Sequence, residues 1–303
     1  MIDRAYLSIN NACNLNCRYC NFRQTDRIIN DEILSETDID VVLHNILCYS
    51  KQNGISMFKM GIVGAGEPLL SFDSIKYIIE YANREDIDGV FVFYTITNGT
   101  IINEDMLRFF YENKQYITLN VSLDGYEELH NYGKEAFKET LDGIKLYEDV
   151  FQEKPIINCT VSKQTLNNKE AVVNYFLEHG FEKINFTQLI DLEDDDVFIT
   201  NQEFLSFLQF VRDTKAITFR QNRKEKKYDC RIYGQLCGVG HNNIFITKQG
   251  IYPCCRFYKN NDYKIADFHV DLHEVEEVML KKLQPVKEGE CYYNTHILNR
   301  RYL

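Results

Sequence analysis

Cys13, Cys17 and Cys20 stand in the pattern Cys-x-x-x-Cys-x-x-Cys near the start of the chain. The apolar run over residues 5–10 leads into them and reads as a strand, which places the three thiols on the loop at its C-terminal end. Three thiolates on one tight loop can ligate three irons of a cubane cluster. The fourth iron then has no protein ligand and is open to bind and reduce something, as the open position of a catalytic zinc is open to substrate. A zinc ribbon would pair two Cys-x-x-Cys knuckles, and no second knuckle lies nearby.

The elements that must position this loop alternate. Strand patterns cover residues 5–10, 58–63, 90–97, 117–122, 156–161 and 183–190. Helical patterns follow them over 35–50, 72–83, 104–112, 134–150, 168–179 and 202–213, with Ser35 as an N-cap facing Asp38 and Gly180 as a stop. Six strand–helix units without interruption predict an α/β domain with a parallel sheet, because parallel strands need such crossovers. Six units are fewer than the eight of a closed barrel, so the expected form is a partial (β/α)6 TIM-like barrel over residues 1–214. Cys13, Glu67, Asn98, Ser122, Asp124 and Gln188 all fall where strands end, the side on which parallel α/β folds bind ligands. They are expected to meet in one cleft.

The pattern changes beyond residue 214. A basic connector at 220–227 is followed by five of the ten cysteines: Cys230, Cys237, Cys254, Cys255 and Cys291. Residues 243–247 and 251–253 read as a hairpin and 271–283 as a helix. A cysteine-rich module over 215–303 has a small core, and a metal would supply the staple it needs. The charge of −11 argues against a general nucleic-acid binder. No signal peptide opens the chain and no apolar stretch approaches a membrane span, so a reducing cytoplasm is expected, where clustered cysteines bind metal.

These residues resemble the radical SAM superfamily over nearly the whole chain. The cysteine loop carries its signature, with the aromatic Tyr19 just before the third cysteine. Ala65-Gly66-Glu67-Pro68 is similar to the family's Gly-Gly-Glu-Pro motif with alanine for the first glycine, and Thr97-Asn98-Gly99 and Ser122-Leu123-Asp124-Gly125 resemble segments at corresponding strand ends. The resemblance implies that Cys13, Cys17 and Cys20 bind a 4Fe-4S cluster whose open iron is chelated by the amino and carboxylate groups of S-adenosylmethionine. Glu67 would accept a hydrogen bond from the methionine ammonium. Asn98 and Ser122 would contact ribose or carboxylate, and the Tyr19 backbone would lie near the adenine. Gly66, Asp124 and Gln188 complete the residues assigned to this cofactor. One electron would cleave the C–S bond to give a 5′-deoxyadenosyl radical that abstracts a substrate hydrogen. A reductase, flavodoxin or ferredoxin would donate the electron.

The C-terminal module resembles the SPASM/Twitch type of auxiliary-cluster domain. By that resemblance Cys230, Cys237, Cys254 and Cys291 would hold one auxiliary 4Fe-4S cluster. Only Cys291 follows Cys255, too few for a second such cluster, so the Twitch form is expected. Cys255 could replace Cys254 as a ligand, stay free, or donate a hydrogen atom to a substrate radical. The implied substrate is a peptide or protein side chain, bound in the cleft or through a separate leader-recognition protein, since no recognition domain precedes the first strand. The alternative is a dehydrogenase or epimerase of a small carbohydrate-like alcohol; the non-enzyme alternative is a metal-stabilised binding protein. Cys48 and Cys159 read as buried small hydrophobes, and His241 and His296 are not expected to bind metal. The five acids within 191–196 read as a solvated loop, or as a surface that greets a basic peptide.

Overall fold

A computed structural model describes residues 1–20, 22, 32–189, 196–214, 218–219, 238–258 and 260–283. Six parallel strands run β1 (Arg4–Leu7), β2 (Phe58–Ile62), β3 (Phe91–Thr97), β4 (Ile117–Ser122), β5 (Ile156–Val161) and β6 (Lys183–Gln188), each pairing with the next. A two-residue β7 (Thr218–Phe219) continues the sheet beyond β6. The helices α1 (Glu36–Gln52), α2 (Phe72–Glu85), α3 (Glu104–Glu112), α5 (Phe137–Phe151), α7 (Lys169–Glu178) and α8 (Asn201–Asp213) are the crossovers. The result is the expected partial (β/α)6 barrel. Ser35 caps α1 in a reciprocal box with Asp38, as the spacing predicted.

Two helical expectations need correction. The helix predicted from residue 134 starts at Phe137, and a separate short α4 (Glu127–Gly133) precedes it. Glu135 and Ala136 sit at φ 68° and 58°, left-handed values that end one helix and start the next. Seven residues are too few to display an apolar period, so α4 was invisible to pattern reading. Likewise α7 is preceded by α6 (Lys163–Asn167), started by a capping box between Ser162 and Thr165.

The C-terminal hairpin, β8 (Asn243–Thr247) and β9 (Gly250–Tyr252), has an unanticipated seat. β8 runs parallel to β1 on the side opposite β2, so the sheet order is β7-β6-β5-β4-β3-β2-β1-β8-β9. Ile244, Phe245, Ile251 and Tyr252, with Leu272, Val275 and Met279 of α9 (Leu272–Lys282), share one apolar core with β1, β2 and α1. Lys248 in the hairpin turn also reaches Asp38 of the α1 cap at 2.5 Å.

A second core lies under β4, β5 and β6. Val121, Ile157, Cys159, Ile184 and Phe186 pack there against Phe137, Val172, Phe176, Phe204 and Phe207 of the outer helices. Strand side chains alternate, so Asn120, Ser122, Asn158, Thr160, Asn185 and Thr187 face the barrel interior. Cys159 is a buried core residue, as expected, whereas Cys48 is half-buried, with its thiol 3.4 Å from His44 Nε2.

Candidate active site

The cysteine loop and the loop after β2 are bound to each other. The Ser8 hydroxyl accepts from the Ala65 N–H at 2.9 Å. The Asn10 amide donates to the Glu67 carbonyl at 3.0 Å and to the Ser71 hydroxyl at 2.9 Å. The Glu67 N–H donates to the Ala12 carbonyl at 2.7 Å. Gly66 has to be glycine for this approach: a Cβ there would lie 1.7 Å from Asn10 Oδ1 and 2.4 Å from the Ala12 carbonyl oxygen. Its neighbour Ala65, the departure from Gly-Gly-Glu-Pro, is buried.

Glu67 is buried, and its carboxylate caps the 3-10 turn Pro68–Ser71 by accepting from the Leu69 N–H at 3.1 Å. Its other oxygen accepts from the Asn98 N–H at 2.8 Å. Burial raises its pKa, opposed by hydrogen bonds from Asn98, Thr97 and Leu69. These donors are neutral, and a carboxylate has lone pairs to spare, so Glu67 can still receive a cation. The Asn98 side chain faces the cysteine loop, donating to Asn14 Oδ1 at 2.8 Å and accepting from the Thr100 hydroxyl at 2.8 Å.

On the other side of the loop stands a buried polar network. The Tyr19 hydroxyl donates to Asp124. Lys134 Nζ donates to the other Asp124 oxygen at 2.9 Å and to the Ser122 hydroxyl at 2.6 Å. The Thr160 N–H completes the Asp124 shell at 2.8 Å. Lys134 and Asp124 side chains are only 7% and 4% exposed, so this ion pair is scarcely screened by water. His130 accepts from the Asp124 N–H, and burial with the nearby Lys134 charge lowers its pKa to about 4, so it is neutral. The helix α4 carries this cluster to the loop. The Arg18 N–H donates to the Gly133 carbonyl at 2.8 Å, the Arg18 guanidinium lies 4.6 Å over the Tyr132 ring, and a Cβ on Gly133 would lie 2.2 Å from Tyr19 Cε1.

Sequence reasoning placed Tyr19, Ser122 and Asp124 in the site but missed Lys134, His130 and Asn14. Lys134 lies beyond a helix that gave no signal, and a lone lysine carries none of its own. Gln188 is buried and donates to the Ile199 carbonyl at 3.3 Å, at the end of β6. Asp196, the described member of the acidic run, pairs with Arg18 of the cysteine loop at 3.6 Å.

The donor set suits an iron–sulfur cluster. Burial pushes the Cys17 thiol up to about 12, with Lys134 opposing the shift and the charges of Cys20 and Cys13 adding to it. Three neighbouring thiolates in a half-buried site need positive charge among them, which irons supply. Among the described residues no group of three or more His, Cys, Asp or Glu side chains is gathered as a single-ion site. Cubane ligands bind separate irons, so three cysteines on one loop suit a cluster with one open iron.

The radical SAM superfamily model matches residues 7–166, just over half of the chain. This chain is a member of the radical SAM superfamily. A cysteine-type anaerobic sulfatase-maturating enzyme of Clostridium novyi (strain NT) is 25% identical over 286 residues, covering 84% of this chain and 73% of the relative. The structure of anSMEcpe with bound AdoMet and Cp18Cys peptide superimposes with a TM-score of 0.76 at 18% identity, over 96% of this chain and 86% of that one. The structure of Streptococcus suis SuiB bound to precursor peptide SuiA gives 0.74 at 16% identity, over 100% and 74%. At these identities the two structures establish the fold.

In this radical SAM chain Cys254 is buried in the core beside β9, and Cys255, which opens a 3-10 turn, is half-buried. Their assigned companions Cys230, Cys237 and Cys291 lie outside the described residues, as do the connector 220–227, His296 and residues 191–195. No helix among the described residues is long and apolar enough to cross a membrane.

Proposed function

We infer that this radical SAM protein reductively cleaves S-adenosylmethionine and abstracts hydrogen from a peptide or protein residue. One observation carries the first part. The structure buries a carboxylate, Glu67, whose backbone N–H donates to the Ala12 carbonyl just before the first thiol, and an ammonium, Lys134, which donates to Ser122 and to the Asp124 carboxylate that also holds Tyr19. A carboxylate and an ammonium brought to one cysteine loop complement a zwitterionic amino acid, the methionine portion of S-adenosylmethionine. Cys13, Cys17 and Cys20 would hold a 4Fe-4S cluster, which when bound would supply the electron for reductive cleavage of S-adenosylmethionine. The residues of the chain do the rest. Glu67 binds the ammonium while holding Asn98 in place, Lys134 and Ser122 bind the carboxylate, and Gly66 keeps the two loops in contact.

The peptide reading is supported by the relatives: the matched enzyme is a sulfatase maturase, and the two structures carry peptides. The same reading assigns Cys230, Cys237, Cys254 and Cys291 to an auxiliary 4Fe-4S cluster in a Twitch-type region over 215–303, with Cys255 as a hydrogen-donor candidate. It also calls for a flavodoxin- or ferredoxin-type electron donor. Anaerobic reconstitution tests the cluster count: iron and sulfide of about eight each per chain are expected, and about four would remove the auxiliary cluster. Peptides with a central cysteine or serine should stimulate 5′-deoxyadenosine formation and change in mass. Stimulation by polyols and not by peptides would move the substrate to the carbohydrate-like alcohols.

A further inference from the structure

A packed barrel interior is normally filled with Val, Ile and Leu. Along β4, β5 and β6 this one carries three asparagines instead, Asn120, Asn158 and Asn185, on the inward face. They form one array. Asn158 Oδ1 accepts from Asn120 Nδ2 at 3.2 Å and from Asn185 Nδ2 at 3.3 Å. Asn158 pairs in register with Ser122 on one side and with Asn185 on the other, so the array begins beside the Ser122–Lys134 pocket.

The array leaves one buried acceptor unpaired. Asn120 is 1% exposed, and its Oδ1 has no hydrogen-bond partner among the described residues. Burying an acceptor without a partner costs about 1–3 kcal/mol. With both donors satisfying Asn158 Oδ1, Asn158 Nδ2 and Asn185 Oδ1 also have no partner among the described residues, and both side chains are half-buried. A donor and an acceptor therefore stand on adjacent strands, about 4.8 Å apart in backbone spacing, and the charged side chain that shares their face, Lys183, lies at the exposed start of β6 and pairs with Glu153.

The geometry points to the Asn158–Asn185 pair as a main-chain recognition site for a peptide substrate, with Asn158 Nδ2 donating to a substrate carbonyl and Asn185 Oδ1 accepting a substrate N–H. A peptide backbone presents one fixed donor and one fixed acceptor per residue, which is what the pair complements. A hydroxyl rotates to serve either role and needs no matched pair. Recognition through the backbone leaves the substrate side chain free to reach the radical, and makes binding tolerant of sequence. This inference rests on the peptide reading above.

The test uses holoenzyme reconstituted with cluster and S-adenosylmethionine, and a synthetic library of peptides of about 12 residues with one central cysteine or serine. The tightest binder is remade with each backbone amide in turn replaced by an ester, which removes one N–H. One ester position and Asn185→Ala should each weaken binding by about tenfold, and the two together no further. Asn185→Asp keeps the acceptor and should keep the sensitivity to that ester, which separates recognition from misfolding. Asn185→Ala binding like wild type, or losses that multiply for every ester, would overturn the main-chain site while leaving the peptide reading intact. A wild-type holoenzyme that binds polyols but no library peptide would overturn the peptide reading, and this inference with it.

Discussion

Lys134 is the residue on which the proposed cofactor pocket turns. It is the buried cation between Asp124 and Ser122. Lys134→Met leaves Asp124 charged and unpaired, which for a buried ion pair costs about 3–5 kcal/mol. The expected result is a large drop in melting temperature together with loss of S-adenosylmethionine binding in a calorimetric titration. Adding Asp124→Asn should restore much of the stability and none of the binding; recovered binding would remove Lys134 from the pocket. His130 gives a pH signature. Its folded pKa of about 4 lies below its ordinary value of 6.5, so the unfolded chain binds more protons between those values and stability falls as pH falls through that window. The loss reaches roughly 3 kcal/mol. Urea midpoints of the cluster-free chain from pH 7 to 4 should show it, and His130→Asn should flatten it. Equal slopes would mean that His130 is not held neutral. At this scale the sequence showed the residues that sit in motifs, such as the three cysteines and Glu67. It hid Lys134 and Asn158, whose roles exist only once β4, β5 and α4 are side by side.

Helix α4 is the element that joins the two halves of the site. Its last residue, Gly133, touches Tyr19 and holds the Arg18 N–H, so the cysteine loop rests on it. Gly133→Ala would place a methyl 2.2 Å from the Tyr19 ring and force the loop to move. The expected outcome is reduced iron retention and a weakened response of the reduced cluster's electron paramagnetic resonance signal to S-adenosylmethionine, in a chain that still melts cooperatively. Wild-type iron content and signal would show that the loop does not depend on this contact. The long elements were legible because their apolar faces repeat over two or more turns or alternate along a strand; β4, β5 and α3 lie where the pattern put them. The short helices α4 and α6 were not, because a capping box or a left-handed break, not periodicity, defines them.

At the scale of the molecule, the sheet does not stop where the cysteine-rich region begins. β8 completes the edge of β1, and residues of β8, β9 and α9 share a core with β1, β2 and α1. A chain ending at residue 214 would uncover Ile2, Leu7 and Tyr49 and strip β1 of a partner strand. It should fail to give a cooperative melt, and a melt at the full-length temperature would show two independent units. Sequence patterns predicted the hairpin but not its parallel pairing with β1, which joins residues about 240 apart and leaves no local trace. Whether the cysteine loop starts a radical reaction is read from the 5′-deoxyadenosine formed from S-adenosylmethionine by the anaerobically reconstituted, chemically reduced protein. Wild type should form it and Cys17→Ala should not. A wild-type protein that carries its reduced cluster and forms none, or a Cys17→Ala protein that forms as much, would contradict the account.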